Sequence, residues 1–173
     1  VRSVAEETEN QSRKIAYQTP SYTVENGTTL LDTPEGPMPI EVFGAHNLSN
    51  LAGAKWLCQC MGVDEAEFYE AIASFKGASK RLEKIAESKN KVAYKDFAHS
   101  PSKVSATTKA VKAQYPDRKV VACLELHTYS SLNAEFLKEY QGALDAADVA
   151  VVFYSPDAVK IKRLEEVTYD QIA

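Results

Sequence analysis

Long hydrophobic runs are missing from this sequence. No stretch approaches the ~20 consecutive apolar residues of a membrane helix, and no segment resembles a secretion signal. Basic runs are also missing and the net charge is −4, so neither a membrane nor a nucleic acid is expected as a partner. With only 3 cysteines, an odd number, we expect reduced and buried thiols. These absences predict a cytoplasmic protein held together by an ordinary hydrophobic core.

Phosphate-binding loops are equally absent. The sequence contains neither GxxxxGK[ST] nor GxGxxG, so no glycine loop can cradle a triphosphate through its backbone amides. It also lacks the GxSxG elbow of a serine hydrolase, and Ser130 or Ser131 near His127 is a weak substitute. Because the chain begins at Val1 and stops just after an acidic and aromatic stretch, we expect it to be a fragment of a longer protein.

The first part of the chain has the pattern of a small β-structure. Two short apolar and β-branched runs, 22–25 and 28–31, flank Asn26-Gly27, a dipeptide typical of a type I′ turn. A proline-rich turn is predicted over 34–39, and a further strand over 40–43.

Helical periodicity follows over residues 46–86. Gly62 is placed to end the first helix, and Asp64 to cap the second. The charged segment 84–91 (KIAESKNK) has the composition of a surface linker, which places a domain boundary between residues 86 and 87.

Beyond the linker, strand and helix patterns alternate. The predicted strands are 91–97, 119–126 and 149–154, and the helices between them begin at Ser100-Pro101 and near Phe136. This β-α-β-α-β order favours an α/β fold with a mostly parallel sheet, whose ligands bind beyond the carboxyl ends of the strands.

Polar clusters stand where the predicted strands end. They are the runs 44–50, 96–101 and 125–131, and they contain all 3 histidines, His46, His99 and His127. The spacing of these histidines matches no compact metal-ligand motif, so no metal site is expected. A helix cap or loop hydrogen bond would explain any one of these polar residues alone, but their shared location favours a binding site.

Four motifs in order resemble a known family. They are GAHNLSN before an apolar helix, FKGASKRLE, KDFAHSP and LELHTYSS, and together they resemble the ATP-dependent Mur ligases of peptidoglycan synthesis. The resemblance lies nearest to the branch that acts on UDP-N-acetylmuramate. KRLE, DFAH and the "LE" before His127 favour the recycling enzymes that attach L-alanyl-γ-D-glutamyl-meso-diaminopimelate over those that add L-alanine.

The resemblance implies a domain plan. Residues 1–86 would be the distal part of a central ATPase domain, a β-hairpin plus helices without the P-loop. Residues 87–173 would be most of a Rossmann-like C-terminal domain with a mostly parallel β-α-β sheet. The UDP-substrate domain and the P-loop would lie upstream, so the fragment alone is expected to be inactive.

The resemblance also implies roles for individual residues. A nucleotide would be contacted by His46, Asn47, Asn50, Arg81 and Asp96, and the amino acid or peptide substrate by His99, His127 and Ser130. ATP and Mg²⁺ are the implied cofactors, although the main phosphate and metal ligands would lie outside this chain. No residue is assigned a catalytic role.

The sequence departs from the family's motifs at two positions that concern the substrate, and other functions compete with the one implied. L-alanine-adding members usually carry an arginine shortly after the HxY motif, where this chain has Ser130 and Ser131, and the second histidine of AHHP is replaced by Ser100. A surface ion pair with Glu83 is the alternative role for Arg81. The competing functions are an L-alanine ligase, a folylpolyglutamate ligase, and a non-catalytic binding module with a ligase-like fold.

Overall fold

The predicted first hairpin is present in the computed structural model, which describes residues 14–165 and 167–172. Strands β1 (Tyr22–Glu25) and β2 (Thr28–Thr33) pair antiparallel across the Asn26-Gly27 turn. Both turn residues have positive φ angles, 51° and 77°, as a type I′ turn requires. The register of this hairpin is the one that the turn chemistry predicts.

The prediction for the proline-rich segment is confirmed at residues 34–35, which form a turn, and is wrong for the residues that follow. Residues 36–40 form strand β3 (Gly36–Ile40), which pairs antiparallel with β2, and the strand predicted over 40–43 ends at Ile40. Because β3 lies at the edge of the three-stranded sheet, Pro37 and Pro39 are tolerated although they donate no backbone hydrogen bond. Both prolines are exposed, while Met38 and Ile40 point towards the core.

Two helices pack on this sheet. Helix α1 (Ala45–Cys60) is followed by Gly62 with φ 94°, and helix α2 (Glu65–Ala73) begins at Asp64. The Asp64 carboxylate accepts from the backbone amide of Glu67 at 2.8 Å, and the Glu67 carboxylate accepts from the amide of Asp64 at 3.2 Å. This capping box confirms the predicted helix start. The first core is formed by Leu31, Ile40, Leu48, Leu51 and Phe68.

The segment predicted as a linker forms a β-hairpin instead. Strands β4 (Glu83–Ser88) and β5 (Lys91–Lys95) pair antiparallel, so the boundary predicted between residues 86 and 87 falls within β4. The charged composition is consistent with a strand that is largely exposed to solvent. Tyr94 of β5 holds the hairpin in place through an edge-to-face contact with Phe43, with ring centroids 5.1 Å apart.

The second half contains the predicted parallel pair. Helix α3 (Pro101–Gln114) leads to β6 (Val121–Leu126), which pairs parallel with β7 (Val149–Tyr154). The helix between them is short: α4 (Ala134–Leu137) continues only as a 3₁₀ turn, Lys138–Tyr140. Helices α5 (Pro156–Ile161) and α6 (Tyr169–Ile172) complete the described chain. Among the described strands, β5 pairs with β4 and not with the parallel pair.

This arrangement confirms the α/β fold class, with antiparallel hairpins and one parallel pair. A second core lies on one face of β6 and β7; its buried members are Val104, Leu124, Leu126, Leu132, Leu137, Ala143, Val159 and Val167. The prediction of buried thiols is wrong for Cys60 and Cys123, which are exposed, while Cys58 is partly buried. Within 14–165 and 167–172, no helix has the length and apolar character needed to cross a membrane.

Candidate functional site

Three predicted nucleotide-contacting residues are brought within electrostatic range of one another. His46 lies in the first turn of α1, Arg81 lies just before β4, and Asp96 follows β5. The charges of Asp96 and Arg81 both act on the His46 imidazole. We call His46, Arg81 and Asp96 the joint cluster, because it forms where the first helix meets the second hairpin.

The electrostatics of His46 favour a neutral ring. Partial burial lowers the pKa of His46 below its ordinary value, and the nearby charge of Arg81 lowers it further, while Asp96 opposes the shift. A neutral imidazole offers one donor and one acceptor nitrogen, which suits the edge of a heterocyclic base.

Asp96 is engaged by the protein itself. One carboxylate oxygen accepts from the backbone amide of Leu82 at 2.8 Å, and the other accepts from the amide of Ala98 at 2.7 Å and from Thr107 Oγ1 at 3.3 Å. Leu82 has a φ of 47°, which costs a branched residue free energy unless its surroundings hold it. Asp96 therefore fixes the backbone next to Arg81, a role that its place after a strand did not reveal.

Arg81 remains available for a ligand. Its side chain is exposed, and in the part of the chain that the structure describes it forms no ion pair. The Glu83 carboxylate, its alternative partner, instead accepts from the Lys80 amide at 2.7 Å and from Ser79 Oγ at 3.2 Å. The guanidinium is therefore a cation whose donors can meet phosphate or ribose oxygens.

The two asparagines of the first motif differ in their surroundings. Asn47 Nδ2 donates to the carbonyl oxygen of Phe43 at 3.0 Å, which ties its amide to the start of α1. Asn50 is exposed and lies one helical turn after His46, so it shares the helix face of that residue. Of the two, only Asn50 has a side-chain amide without a hydrogen-bond partner among the described residues, so this amide can turn toward a ligand near His46.

Two of the three residues predicted to contact the amino acid or peptide substrate, His99 and His127, lie beside Phe97. We call these three side chains the ring group. The rings of Phe97, His99 and His127 lie together: the centroid of His99 is 5.0 Å from that of Phe97 and 6.4 Å from that of His127. Nδ1 of His99 donates to the carbonyl oxygen of Phe97 at 2.9 Å, and Nδ1 of His127 donates to that of Glu125 at 3.3 Å. Because a carbonyl oxygen only accepts, these bonds make Nε2 the acceptor nitrogen in the neutral form of each ring.

Ser130 lies in the loop that follows His127, and it is exposed. Its hydroxyl is 3.2 Å from Oγ1 of Thr128, within hydrogen-bond distance. Phe97, to which the sequence assigned no role, lies beside both histidines, with its ring centroid 5.0 Å from that of His99 and 6.5 Å from that of His127. It belongs to the same sequence run as Asp96 and His99. That shared run was the only signal that could have identified it.

A groove with a volume of about 1040 Å³ runs beside Asp96, between β5, α3 and β6. Its walls are mainly apolar side chains, including Val104, Val111 and Leu124. Such walls do not suit a polyphosphate. In residues 14–165 and 167–172 no group of three or more His, Cys, Asp and Glu side chains could hold a metal ion, so these residues do not form a complete Mg²⁺ site by themselves.

No family model matches the chain, but curated proteins do. It is 35% identical over 146 residues to UDP-N-acetylmuramate–L-alanine ligase of a Synechococcus strain, covering 82% of this chain and 29% of that protein. It is 30% identical over 129 residues to the ligase of the same name from Desulfitobacterium hafniense, covering 75% of this chain and 27% of that protein. The chain thus spans less than a third of the length of these relatives.

Solved structures share the fold. The UDP-N-acetylmuramate-alanine ligase of Thermotoga maritima superposes with a TM-score of 0.64 at 20% identity, over 82% of this chain and 32% of that one. Folylpolyglutamate synthetase from Lactobacillus casei gives a TM-score of 0.54 at 14% identity, over 80% of this chain and 34% of that one. The predicted relationship to the Mur ligases is confirmed, and with it the fold class.

Proposed function

We propose that this chain, a relative of the Mur ligases, is part of an ATP-dependent ligase that joins an amine to the carboxylate of UDP-N-acetylmuramate. In that reaction the carboxylate takes the γ-phosphoryl group of ATP, and the amine of an amino acid or peptide then displaces phosphate to give an amide. Such an enzyme would act on small molecules in the cytoplasm. Its chemistry depends mainly on positioning and on neutralising phosphate charge.

The observation that carries this proposal is the joint cluster. His46, Arg81 and Asp96 are 35 and 15 residues apart along the chain, yet the charges of the last two both act on the first. Arg81 is an exposed cation without a carboxylate partner among the described residues, and Asp96 holds the backbone beside it. This combination supports a nucleotide contact at Arg81, with His46, Asn47 and Asn50 on the base side.

The ring group supports a place for the second substrate. In the neutral form of each ring, Nε2 of His99 and Nε2 of His127 can accept a hydrogen bond or a proton from an incoming amine-bearing substrate. Ser130 adds a hydroxyl on the same loop as His127. We propose that these three residues contact the amine-bearing substrate.

The residues that bind the triphosphate would lie elsewhere in the protein. The sequence has no phosphate loop, the described residues do not form a complete Mg²⁺ site by themselves, and the chain spans 27% and 29% of the two relatives compared above. We propose that other segments of a longer polypeptide supply the phosphate loop and the remaining Mg²⁺ ligands, and that this piece alone does not turn over substrate. A ligase-like binding module without chemistry is the alternative.

L-Alanine is the favoured amine substrate, because the curated relatives compared above are named for it. This does not support the preference for the tripeptide branch that the sequence motifs suggested. The tripeptide remains the second candidate for one reason: residues 128–133, which follow His127, carry no arginine or lysine. The two candidates differ only in the amine substrate, so one assay separates them.

The test measures phosphate release by the full-length protein with ATP, Mg²⁺ and UDP-N-acetylmuramate. L-Alanine, the tripeptide, and folate with glutamate are compared in parallel. We expect turnover with L-alanine and none by residues 1–173 alone. Phosphate release with folate and glutamate, or by the isolated piece, would contradict the proposal, whereas turnover with the tripeptide alone would change the branch.

The joint cluster is tested in the same assay. Arg81→Met is expected to raise the KM for ATP about tenfold, because one charge-assisted contact with the nucleotide is lost. Lys76→Met removes an exposed charge from the same segment and serves as the matched control. If both variants raise the KM equally, Arg81 makes no specific contact with the nucleotide.

A further inference from the structure

Two segments leave the parallel strand pair at the same edge. Leu126 and Tyr154 are the last residues of β6 and β7 and lie opposite each other in the register. The loop 127–133 and the segment 155–164 therefore start side by side. Ligands of parallel sheets bind at this edge, beyond the carboxyl ends of the strands, and His127 is the first residue there.

The end of helix α5 fixes the position of Lys162. The amide of Arg163 donates to the carbonyl oxygen of Lys160 at 3.0 Å, and that of Leu164 donates to Val159 at 3.1 Å, which is the pattern of a Schellman motif. Arg163 accordingly has a φ of 54°. Because Val159 is buried and Leu164 packs against the same core, the backbone at Lys162 is anchored.

Hydrogen bonds within the loop after β6 fix the backbone at Tyr129. The amide of Thr128 donates to Ser131 Oγ at 2.9 Å, and the amide of Ser131 donates to Thr128 Oγ1 at 3.0 Å. Ser131 and Leu132 are both buried. The backbone of this turn is thus held from inside, while the ring of Tyr129 is 64% exposed.

These two anchored segments meet through their side chains. Nζ of Lys162 lies 4.2 Å from the ring centroid of Tyr129, which is a cation–π contact. Among residues 14–165 and 167–172, no carboxylate forms an ion pair with Lys162. The ring occupies one side of the ammonium group, so N–H donors on the other side remain for an acceptor.

We infer that Lys162, positioned by Tyr129, binds the carboxylate of the amine-bearing substrate. The inference rests on the proposed function, because an amino acid or peptide that is ligated through its amine still carries a free carboxylate. The loop with His127 and Tyr129 would then place the amine near the imidazole while Lys162 holds the other end. With Lys162 in this role, the carboxylate can be bound although residues 128–133 contain no lysine or arginine.

The test compares a carboxylate substrate with its amide. In the full-length protein, kcat/KM is measured for whichever acceptor is turned over and for its primary amide, L-alanine and L-alaninamide being the first pair. The wild type is expected to prefer the carboxylate form. Lys162→Met should reduce that preference about tenfold through KM, with kcat little changed, because one charged hydrogen bond is lost. Lys162→Arg should retain most of it.

Lys160→Met is the matched control, since Lys160 is an exposed lysine on the same helix. Tyr129→Leu should weaken the preference less than Lys162→Met, because the charge remains but its position is lost. An unchanged preference in Lys162→Met, with an active wild type, would overturn the inference and leave the proposed function standing. A wild type that turns over neither L-alanine nor the tripeptide would instead overturn the proposed function, and this inference with it.

Discussion

Thr29 and Gln114 share a buried hydrogen bond although 85 residues separate them in the sequence. Thr29 Oγ1 donates to Gln114 Oε1 at 3.1 Å, and Gln114 Nε2 donates to the carbonyl oxygen of Gly27 at 2.7 Å. These two hydrogen bonds connect the last turn of α3 to the first hairpin. The two halves of the described chain are joined by polar contacts in addition to apolar packing.

Replacing Gln114 should destabilise the fold. Gln114→Leu leaves the Thr29 hydroxyl and the Gly27 carbonyl without that partner, which costs about 1–3 kcal/mol. The double variant Thr29→Val with Gln114→Leu should cost less than the sum of the single changes, since both groups of the pair are then apolar. Urea denaturation measures each free energy of unfolding. Gln141→Leu, at an exposed position, is the control, and additive single changes would contradict the coupling.

The turn glycine of the first hairpin is predicted to tolerate a side chain less well than Gly36 does. A Cβ on Gly27, where φ is 77°, would lie 2.8 Å from Cε1 of Tyr115, and the Tyr115 hydroxyl is itself hydrogen-bonded to that of Tyr94. Gly27→Ala should therefore lower the melting temperature more than Gly36→Ala. At Gly36 the φ of 112° imposes backbone strain, but no atom lies within 4 Å of the added carbon. Equal losses for the two variants would show that the Tyr115 contact does not matter.

The capping box of α2 offers a test of helix stability. Asp64→Ala removes the acceptor of the Glu67 amide and should cost about 1 kcal/mol, while Asp64→Asn should cost only a few tenths. Thermal denaturation followed by circular dichroism measures the difference. If Asp64→Asn is as damaging as Asp64→Ala, the carboxylate charge matters more than the capping geometry.

His46 should make stability depend on pH. Because burial lowers the pKa of His46 below 6.5, the unfolded chain takes up its proton at a higher pH than the folded chain does. The free energy of unfolding should therefore fall as the pH drops below 6.5 and level off once the folded protein is also protonated. Subtracting the curve of His46→Gln from that of the wild type isolates this effect. Parallel curves for the two proteins would contradict it.

Local patterns determined several elements on their own. Asn26-Gly27 fixed the first hairpin, Asp64 fixed the start of α2, and the continuous apolar runs identified β6 and β7. Each depends on short-range chemistry: a turn that needs positive φ, a cap that needs a carboxylate, a strand buried on one face. Such features are encoded within a few neighbouring residues, so the sequence is sufficient to predict them.

Other features depended on contacts between distant segments. Charged composition suggested a linker at 84–91, but the segment forms a hairpin whose second strand packs Tyr94 against Phe43. The prolines at 37 and 39 suggested a turn, but an edge position accepts them in a strand. For the candidate site, the motifs named His99 and His127, but only the fold showed that the ring of Phe97 lies beside both of them.

The sequence by itself determined the family resemblance, the local turns and caps, and the residue types of the site. Only the tertiary structure decided that Asp96 holds the Leu82 backbone, that Arg81 has no carboxylate partner among the described residues, and that Lys162 lies over Tyr129. The physical reason is range: local propensity is set by neighbours along the chain, whereas burial and charge pairing are set by segments that meet only after folding.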